Sequence, residues 1–337
     1  MSETEVKPKK VKRFVPNIKK VSQNPQPLAN GHRLCPGCSE SLILKQALST
    51  IDVPVITANA TGCSEICFGA YPYTSFKTPW IHSLFENAAS VISGIEAMHK
   101  AKLKRGELSE KQKSVKFLAI GGDGATYDIG FQWLSGALER GHNFVYICFD
   151  NEGYMNTGYQ RSGATPKYSS TATSPVGTEI KGKPQKKKPL TDIIAAHNIP
   201  YVAQCSPSNF GDLMKKAHKA FNADGPAFLN IISACPTSWK TRPEKGLEIL
   251  QTGVDSCFWP LFEVDNGVWK VTYKPKEKQP ITHWLQNQGR FKHLLKEENA
   301  HLVAEIQEDV DKNWEKLLRM EKAFGKKAES ITGVDLQ

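Results

Sequence analysis

Two short polar motifs follow apolar runs in the first half of this chain. Gly122-Asp123-Gly124 comes shortly after the run at 115–120, and Asn151 comes shortly after the run at 144–149. Apolar runs of this length are typical of parallel strands that are buried on both faces. Carboxylate and amide oxygens suit a hard divalent cation such as Mg²⁺, which proteins commonly share with the phosphate groups of a ligand. The two motifs therefore predict a site where a metal ion holds a diphosphate.

The ligands of such a metal ion follow from the residue types. Asp123 offers a charged oxygen, Asn151 offers a neutral side-chain oxygen, and Gly153 offers a backbone carbonyl. Glycines allow the backbone to approach the phosphates, and the helix that follows offers its N-terminus to the anion. A Gly-Asp-Gly sequence alone is common in turns, where Asp123 would cap a helix. The second run, ending in Asp150-Asn151 with 26 residues between Gly124 and Asn151, favours the metal site, because α/β sheets bind ligands at the carboxyl ends of strands.

The chain contains eight cysteines, and some have the spacing of metal ligands. Cys35 and Cys38 can both face one metal centre, since Gly37 permits a tight turn between them, and Cys63 follows later in the chain. A long chain without an export signal is not expected to rely on disulfides, so metal ligation is the favoured role. A zinc ion or a cubane iron–sulfur cluster needs a fourth ligand. Spacing alone offers Cys67, which would give a pattern typical of structural zinc.

Positive charge is concentrated in two segments. The net charge is +10, and residues 1–20 and 181–188 each carry an excess of +5. The simpler interpretation is two solvated basic segments, and the alternative is electrostatic guidance of an acidic partner. Aromatic residues do not alternate with these lysines, so a nucleic-acid-binding surface is not expected. The sequence has no long apolar run and no secretory signal, which predicts a cytoplasmic protein without a membrane association.

Alternating strand and helix patterns predict an α/β fold with a mostly parallel sheet. The predicted strands are 53–58, 115–120, 144–149, 200–204 and 227–233, and the predicted helices are 39–51, 85–101, 129–139, 191–197 and 208–222. The polar segment 160–190 is a long loop, and loops of this length are usually functional or mobile. After about residue 240 the sequence indicates an irregular extension that ends in a charged helix at 297–324. Cys148, inside a predicted strand, is expected to be a core residue.

These motifs resemble those of a known family. The Gly-Asp-Gly motif followed by Asn151 resembles the thiamine diphosphate signature, although Asp150 stands where that signature commonly has a second asparagine. The stretch 150–166, DNEGYMNTGYQRSGATP, strongly resembles the β-subunits of multi-subunit pyruvate:ferredoxin oxidoreductases. Further matching segments cover nearly all of 30–295: CPGC at 35–38, ATGCSE at 60–65, HSLFENAASVISGI at 82–95, ACPTSW at 234–239, WPLFE at 259–263 and QGRFKHL at 288–294.

The resemblance implies a fold and a division of the chain. The fold is the thiamine-diphosphate-binding fold, a mostly parallel sheet flanked by helices, with an irregular and helical C-terminal extension. The implied parts are a basic N-terminal arm at 1–30, a domain for thiamine diphosphate and a 4Fe–4S cluster at 31–240, and the extension at 241–337.

The resemblance also assigns the ligands of two inorganic groups. Mg²⁺ would be bound by Asp123, Asn151 and Gly153. The fourth cluster ligand would be Cys235 of ACPTSW, so the implied 4Fe–4S ligands are Cys35, Cys38, Cys63 and Cys235. Cys67 would then be an extra thiol near the cluster.

The cofactor itself would contact residues from three motifs. The implied set is Gly62, Cys63, Gly122, Asp123, Gly124, Asn151, Gly153, Asn156 and Thr157. In the family the loop at 60–65 lies between cofactor and cluster, and Asn156 matches a residue close to the reacting thiazolium. Cys63 and Asn156 are therefore the expected catalytic residues. Two alternatives stay open: Asn156 could be a turn residue with positive φ, and Thr157 could only shape the turn.

The implied reaction converts pyruvate, coenzyme A and oxidised ferredoxin into acetyl-coenzyme A, carbon dioxide and reduced ferredoxin. Thiamine diphosphate would carry the carbon chemistry, and the cluster would accept electrons one at a time. No segment resembles the domain that binds the aminopyrimidine ring, and the sequence has no eight-cysteine ferredoxin pattern. The resemblance therefore implies α-, γ- and δ-type partner subunits, with ferredoxin or a flavodoxin as the electron acceptor.

Other substrates and other classes of protein define the alternatives. Enzymes that act on branched-chain 2-oxoacids, phenylglyoxylate or oxalate share much of this architecture, but the YMNTG turn at 154–158 and the long extension favour pyruvate. Another thiamine enzyme, such as an acetolactate synthase, would lack this set of cysteines. A non-catalytic zinc, cluster or nucleic-acid-binding protein would not need the paired Gly-Asp-Gly and asparagine motifs.

Overall fold

The computed structural model describes residues 14–24, 27–70 and 72–325. Residues 1–13 of the predicted basic arm and residues 326–337 of the predicted extension lie outside the described residues. Within the described ranges, one sheet of eight strands has helices on both faces. No helix in these ranges has both the length and the apolar character needed to cross a membrane.

The sheet is parallel except at one edge. Its strands in chain order are β1 (Val55–Ala60), β2 (Trp80–Ser83), β3 (Lys116–Gly122), β4 (Val145–Asp150), β5 (Tyr201–Cys205), β6 (Ala227–Ile232), β7 (Phe262–Asp265) and β8 (Val268–Val271). Their order across the sheet is β2-β1-β3-β4-β6-β5-β7-β8. Neighbours from β2 to β5 run parallel, and β7 and β8 add an antiparallel edge. The predicted mostly parallel α/β sheet is therefore confirmed.

Helices connect and cover the strands. They are α1 (Ile18–Val21), α2 (Glu40–Leu48), α3 (Cys63–Phe68), α4 (Ala88–Lys104), α5 (Glu110–Lys113), α6 (Phe131–Glu139), α7 (Leu190–Ala195), α8 (Phe210–Asn222), α9 (Pro236–Trp239), α10 (Gly246–Asp255), α11 (Thr282–Leu285) and α12 (Ala300–Phe324). A π-helical segment, Gly124–Ile129, precedes α6. Short 3₁₀ segments occur at Pro207–Asn209, Pro243–Lys245, Gly289–Leu295 and Glu297–Asn299.

Strand β4 shows how the sequence produces this layered packing. All of its residues are buried. Tyr146 and Cys148 face the apolar cluster that includes α4 and α6, whereas Ile147 and Phe149 face the cluster that includes α2 and α8. Because successive side chains of a strand point to opposite faces, a strand covered on both sides reads as a continuous apolar run, here residues 145–149 before Asp150. The core position predicted for Cys148 is confirmed.

Some elements were not predicted from the sequence. Strand β2 exposes Ile81 and His82, so its sequence contains no apolar run. In the region expected to be irregular, α10 forms and β7 and β8 join the main sheet. Strands of four residues are too short for an alternating pattern to stand out. The helix expected from residue 129 begins at Phe131, after the π-helical segment, a feature that is often found at functional sites.

Candidate functional site

Three sequence motifs meet at the carboxyl edge of the sheet. Strands β1, β3 and β4 are neighbours, and they end at Ala60, Gly122 and Asp150. Gly122 pairs with Phe149, so Asp123 follows β3 at the level where Asp150 ends β4. Parallel strands place their carboxyl ends together, which is why motifs that are far apart in sequence become adjacent here.

A cavity of about 230 Å³ opens at this edge. The residues that were predicted to bind the cofactor all line it: Gly62, Cys63, Gly122, Asp123, Gly124, Asn151, Gly153, Asn156 and Thr157. Glu40, Phe85 and Tyr154 complete parts of its wall. The cavity is therefore the place where the chemistry of the three motifs can be combined.

Three buried oxygen atoms of residues that line this cavity have no hydrogen-bond partner among the described residues: Oδ1 of Asp123, Oδ1 of Asn151 and Oε2 of Glu40. The other carboxylate oxygen of Asp123 accepts a hydrogen bond from Ser162 Oγ. The amide Nδ2 of Asn151 donates to Glu40 Oε1 at 3.3 Å, which leaves Oδ1 available for another partner. An unpaired buried acceptor costs about 1–3 kcal/mol. The residue types and the unpaired oxygens of Asp123 and Asn151 fit a divalent cation such as Mg²⁺.

The surroundings of Asp123 oppose the ionisation of its carboxyl group. Burial raises the pKa of Asp123 well above its ordinary value, and the nearby charge of Asp150 raises it further. A cation beside the carboxylate would favour its ionised form and oppose both effects.

Glycines shape the cavity in two different ways. A Cβ atom at Gly62 or Gly122 would meet no protein atom within 4 Å, so these residues present bare backbone to the cavity. A Cβ atom at Gly124 would instead lie 2.5 Å from Cε1 of Tyr154. The glycines therefore leave room for a ligand on one side and for the Tyr154 ring on the other.

Asn156 lies beside Cys63. Burial raises the pKa of Cys63, and a hydrogen bond from the Asn156 side chain acts in the opposite direction. The alternative interpretation of Asn156 as a turn residue with positive φ is wrong, since Asn156 is not among the described residues with positive φ. Thr157 lines the cavity, while its hydroxyl donates within the turn to the carbonyl of Tyr154 at 3.4 Å and to Gln160.

The thiols that were predicted to bind a cluster influence one another. Burial raises the pKa of Cys38, and the charges of Cys235 and Cys63 contribute in the same direction. Burial raises the pKa of Cys235 to about 11, and Cys35 contributes to the increase. Burial also raises the pKa of Cys67 to about 11, and the charge of Cys35 contributes to this increase. Mutual effects of this kind require that the thiols lie near one another.

The thiols are not arranged for a single metal ion. In the described part of the chain, which includes all the cysteines, no three His, Cys, Asp or Glu side chains lie close enough to share one ion. A zinc site needs four ligands about 2.0–2.3 Å from the metal. In a cubane cluster each cysteine binds a different iron, so the thiols stand further apart. Among the described residues, the four-ligand zinc site that Cys67 would complete is therefore not formed.

Sequence reasoning missed Glu40, the first residue of α2. Glu40 is 2% exposed, and burial raises its pKa to about 7, against a hydrogen bond from Asn151 that lowers it. Its charge raises the pKa of Cys38 and Cys63, so it lies between the cysteines and the predicted metal ligands. A signal was present, because the acid of CPGCSE stands two residues after Cys38.

The prediction of a solvated basic segment at 181–188 is wrong for two of its five lysines, Lys183 and Lys187. Lys183 is 1% exposed and donates to backbone carbonyls. Lys187 binds two buried carboxylates, whereas Lys188 is 38% exposed and pairs with Asp128 at 3.3 Å. The ammonium groups of Lys183 and Lys187 point inward because carbonyl and carboxylate oxygens accept their hydrogen bonds.

A larger cavity of about 370 Å³ lies between this segment and α12. Its walls include Trp259, Phe291 and Val310, and none of the predicted site residues line it. Lys187 lines this cavity while its ammonium group reaches the acidic side chains at the end of β4. The predicted chemistry therefore belongs to the smaller cavity.

Comparison with known proteins identifies the family. Residues 60–231 match the model of the thiamine pyrophosphate enzyme C-terminal TPP binding domain. The solved 2-oxoglutarate:ferredoxin oxidoreductase from Magnetococcus marinus matches with a TM-score of 0.51 at 24% identity, covering 64% of this chain and 69% of that chain. At this identity the likeness shows a shared fold.

Relatives with higher sequence identity to this chain are named as subunits of pyruvate synthase or of an oxidoreductase. Pyruvate synthase subunit PorB of Thermotoga maritima is 46% identical over 298 residues, which are 87% of this chain and 92% of that protein. PorB of Pyrococcus furiosus is 43% identical, covering 86% and 92%. Ketoisovalerate oxidoreductase subunit VorB of the same organism is 39% identical, covering 88% and 93%. With the fold, the cavity and these relatives considered together, the chain belongs to the thiamine pyrophosphate enzymes and, among them, to the family of pyruvate synthase subunits PorB.

Proposed function

We propose that this chain is the β-type subunit of a pyruvate:ferredoxin oxidoreductase. The complex would convert pyruvate, coenzyme A and oxidised ferredoxin into acetyl-coenzyme A, carbon dioxide and reduced ferredoxin. The observation that carries the proposal is the pair of unpaired buried oxygens, on Asp123 and Asn151, in the same cavity as Cys63. The PorB relatives support the choice of reaction.

In this proposal the strand ends bind the diphosphate through a metal ion. Asp123 Oδ1, Asn151 Oδ1 and the carbonyl of Gly153 would bind Mg²⁺, since each offers an oxygen ligand of the type that Mg²⁺ prefers. Gly62 and Gly122 would allow the phosphates to approach the backbone, because a side chain at either position would project into the cavity.

The cysteines would hold the second group at the wall of the cavity. When bound, thiamine diphosphate supplies the carbon nucleophile for the keto carbon of the 2-oxoacid, and a 4Fe–4S cluster supplies a one-electron acceptor. Cys63 lines the cavity and would join Cys35, Cys38 and Cys235 as a ligand of the cluster. The hydrogen bond from Asn156 favours the thiolate form of Cys63, which is the form that binds metals.

Pyruvate is the proposed substrate, and a branched-chain 2-oxoacid is the second candidate. The two Pyrococcus furiosus relatives differ little in identity to this chain, at 43% for PorB and 39% for the ketoisovalerate subunit. The YMNTG turn at 154–158 and the extension after residue 240 favour pyruvate. Phenylglyoxylate and oxalate are further alternatives with the same chemistry.

The chain would work as part of a complex. Its relatives are named as subunits, and the proposed partners are α-, γ- and δ-type subunits, with ferredoxin or a flavodoxin as electron acceptor. The α-type subunit would supply the carboxylate for the aminopyrimidine ring of the cofactor. The cytoplasmic location that the sequence predicts stays a prediction.

The test is substrate-dependent electron transfer by the native complex. The complex is purified without oxygen, supplied with coenzyme A, and assayed for viologen reduction with pyruvate and with a panel of other 2-oxoacids. We expect reduction with pyruvate to exceed reduction with every other acid at least tenfold. A preference for a branched-chain 2-oxoacid would change the proposed substrate and leave the proposed mechanism as it is. If no oxoacid supports reduction by a complex with intact cofactor and cluster, the proposed function is wrong.

A further inference from the structure

We propose that Lys187 is a positioning residue for the metal-binding turn, because its ammonium group and the guanidinium of Arg290 neutralise two buried carboxylates that flank Asn151. The inference rests on the proposed function, since it concerns how the proposed Mg²⁺ ligands are held. It gives the basic segment at 181–188 a role inside the site.

The two carboxylates belong to Asp150 and Glu152. Asp150 is 0% exposed and Glu152 is 1% exposed. Lys187 Nζ lies 2.8 Å from Asp150 and 3.0 Å from Glu152, and Arg290 Nη2 donates a hydrogen bond to Glu152. Two positive and two negative side chains therefore lie together; Arg290 and the two carboxylates are buried, and Lys187 is 18% exposed. Removing one member of such a group leaves an uncompensated charge in the interior, which is strongly unfavourable.

The backbone of the same turn depends on additional contacts. Glu152 has φ 70, a left-handed conformation that is unfavourable for a residue with a side chain. The carbonyl of Glu152 accepts a hydrogen bond from Thr165 Oγ1 at 2.8 Å, and the carbonyl of Asn151 accepts one from Trp239 Nε1 at 3.0 Å. The Arg290 guanidinium lies 4.3 Å from the centre of the Trp239 ring. These contacts and the charge pairs hold the turn in the conformation that leaves Asn151 Oδ1 unpaired in the cavity.

The charges explain why Lys187 matters for a metal ion. Four buried carboxylates, those of Glu40, Asp123, Asp150 and Glu152, lie around this turn at the carboxyl edge of the sheet. Lys187 and Arg290 compensate Asp150 and Glu152, so that the two carboxylates that line the cavity, Asp123 and Glu40, are left for the cation. Without Lys187, the carboxylate of Asp150 would compete for the cation from a position beside the intended ligands.

This arrangement also accounts for the departure of the sequence from the usual thiamine diphosphate signature. Asp150 stands where a neutral asparagine is common, and its extra negative charge is matched by Lys187, 37 positions later in the chain. The charge of Asp150 without Lys187, or of Lys187 without Asp150, would lack its partner, which is unfavourable. The pair therefore predicts a specific pattern of loss and recovery when the two are changed singly and together.

The experiment measures metal-dependent cofactor binding by the assembled complex. The complex is stripped of Mg²⁺ and thiamine diphosphate with a chelator, and bound cofactor is then measured as Mg²⁺ is added. Lys187→Met should raise the Mg²⁺ concentration for half-saturation roughly 10- to 100-fold, the range typical of lost residues that orient a metal ligand. Lys186→Met is the matched control, since that side chain is 67% exposed and pairs with Asp309 at the surface, and it should stay within about twofold of the wild type.

The double variant Asp150→Asn/Lys187→Met separates positioning from a merely structural role. It removes the uncompensated charge, and it should recover most of the affinity that Lys187→Met loses. Equal Mg²⁺ dependence in Lys187→Met and Lys186→Met would overturn the inference, and so would a double variant that binds no better than Lys187→Met. If Lys187→Met does not assemble, assembly of the double variant supports the inference and its failure to assemble contradicts it. A wild-type complex that binds no thiamine diphosphate at any Mg²⁺ concentration would refute the proposed function itself, and with it this inference.

Discussion

The residues at the strand ends and Lys187 of the segment 181–188 meet at the carboxyl edge of the sheet, but the sequence describes them very differently. Asp123 and Asn151 come shortly after predicted strands, and the structure brings them to one cavity directly after β3 and β4. The lysines suggest a solvated segment, yet Lys183 and Lys187 are engaged in the interior. The direction of a side chain that directly follows a strand is set by the geometry of that strand. In a long loop, the direction of a side chain depends instead on contacts with residues that are distant in sequence. Local pattern is therefore informative at strand ends and misleading in the loop.

Removal of the Asp123 side chain should give the largest loss of cofactor and metal binding. A small loss would contradict the view that the strand ends, rather than the loop, carry the metal ligands. Asp123→Ala deletes the charged oxygen of the proposed Mg²⁺ site. We expect thiamine diphosphate and Mg²⁺ affinity to fall at least about 100-fold, more than is typical for residues that only support a metal ligand. Bound cofactor and pyruvate-dependent viologen reduction measure the loss. Asp224→Ala, at an exposed position, is the control. Wild-type affinity in Asp123→Ala would show that the strand-end motif is not the metal site.

The cysteines provide the second test, since Cys235 comes three residues after the end of β6 and Cys67 lies within α3. Cys235→Ser should lose the iron of the cluster and its visible absorbance, because a cubane needs each of its four ligands. Cys67→Ser should keep both, as expected for an extra thiol. Iron content per chain after purification without oxygen measures the difference. Equal iron loss in the two variants would contradict the assignment of Cys235 over Cys67.

The smallest expected effect is a change in thermal stability on substitution of Lys183. This substitution tests whether the lysine is buried, as the structure of the loop indicates. Burial lowers the pKa of Lys183 to about 8, and the charges of Arg161 and Lys187 act in the same direction. In the unfolded chain a lysine keeps its proton up to a pH of about 10.4. Between these values the unfolded chain binds more protons, so the contribution of Lys183 to stability rises with pH, and it is lost as pH falls through about 8.

The melting temperature of the wild type relative to Lys183→Met should therefore increase between pH 7.5 and 9.5, by about 2–3 °C for a chain of this size. Lys186→Met, at an exposed position of the same segment, is the control for this measurement. A pH-independent difference for Lys183→Met would mean that this lysine is solvated after all.

Much of the sheet and of the cavity wall could be predicted from the sequence. Strands β4 and β6 are apolar because they are buried on both faces, and that burial produces a recognisable run. Strand β2 was missed because it exposes Ile81 and His82. Glu40 was missed because its importance comes from its burial beside Asn151, 111 positions later in the chain.

The sequence by itself determined the family, the alternation of strands and helices, and the motifs that line one cavity. It could do so because each of these depends on local pattern or on the position of a residue next to a strand. The tertiary structure alone decided the surroundings of those motifs: the burial of Glu40, the unpaired oxygens of Asp123 and Asn151, and the pairing of Lys187 with Asp150. Charge and burial of this kind arise between segments that meet only after folding, so no local pattern reports them.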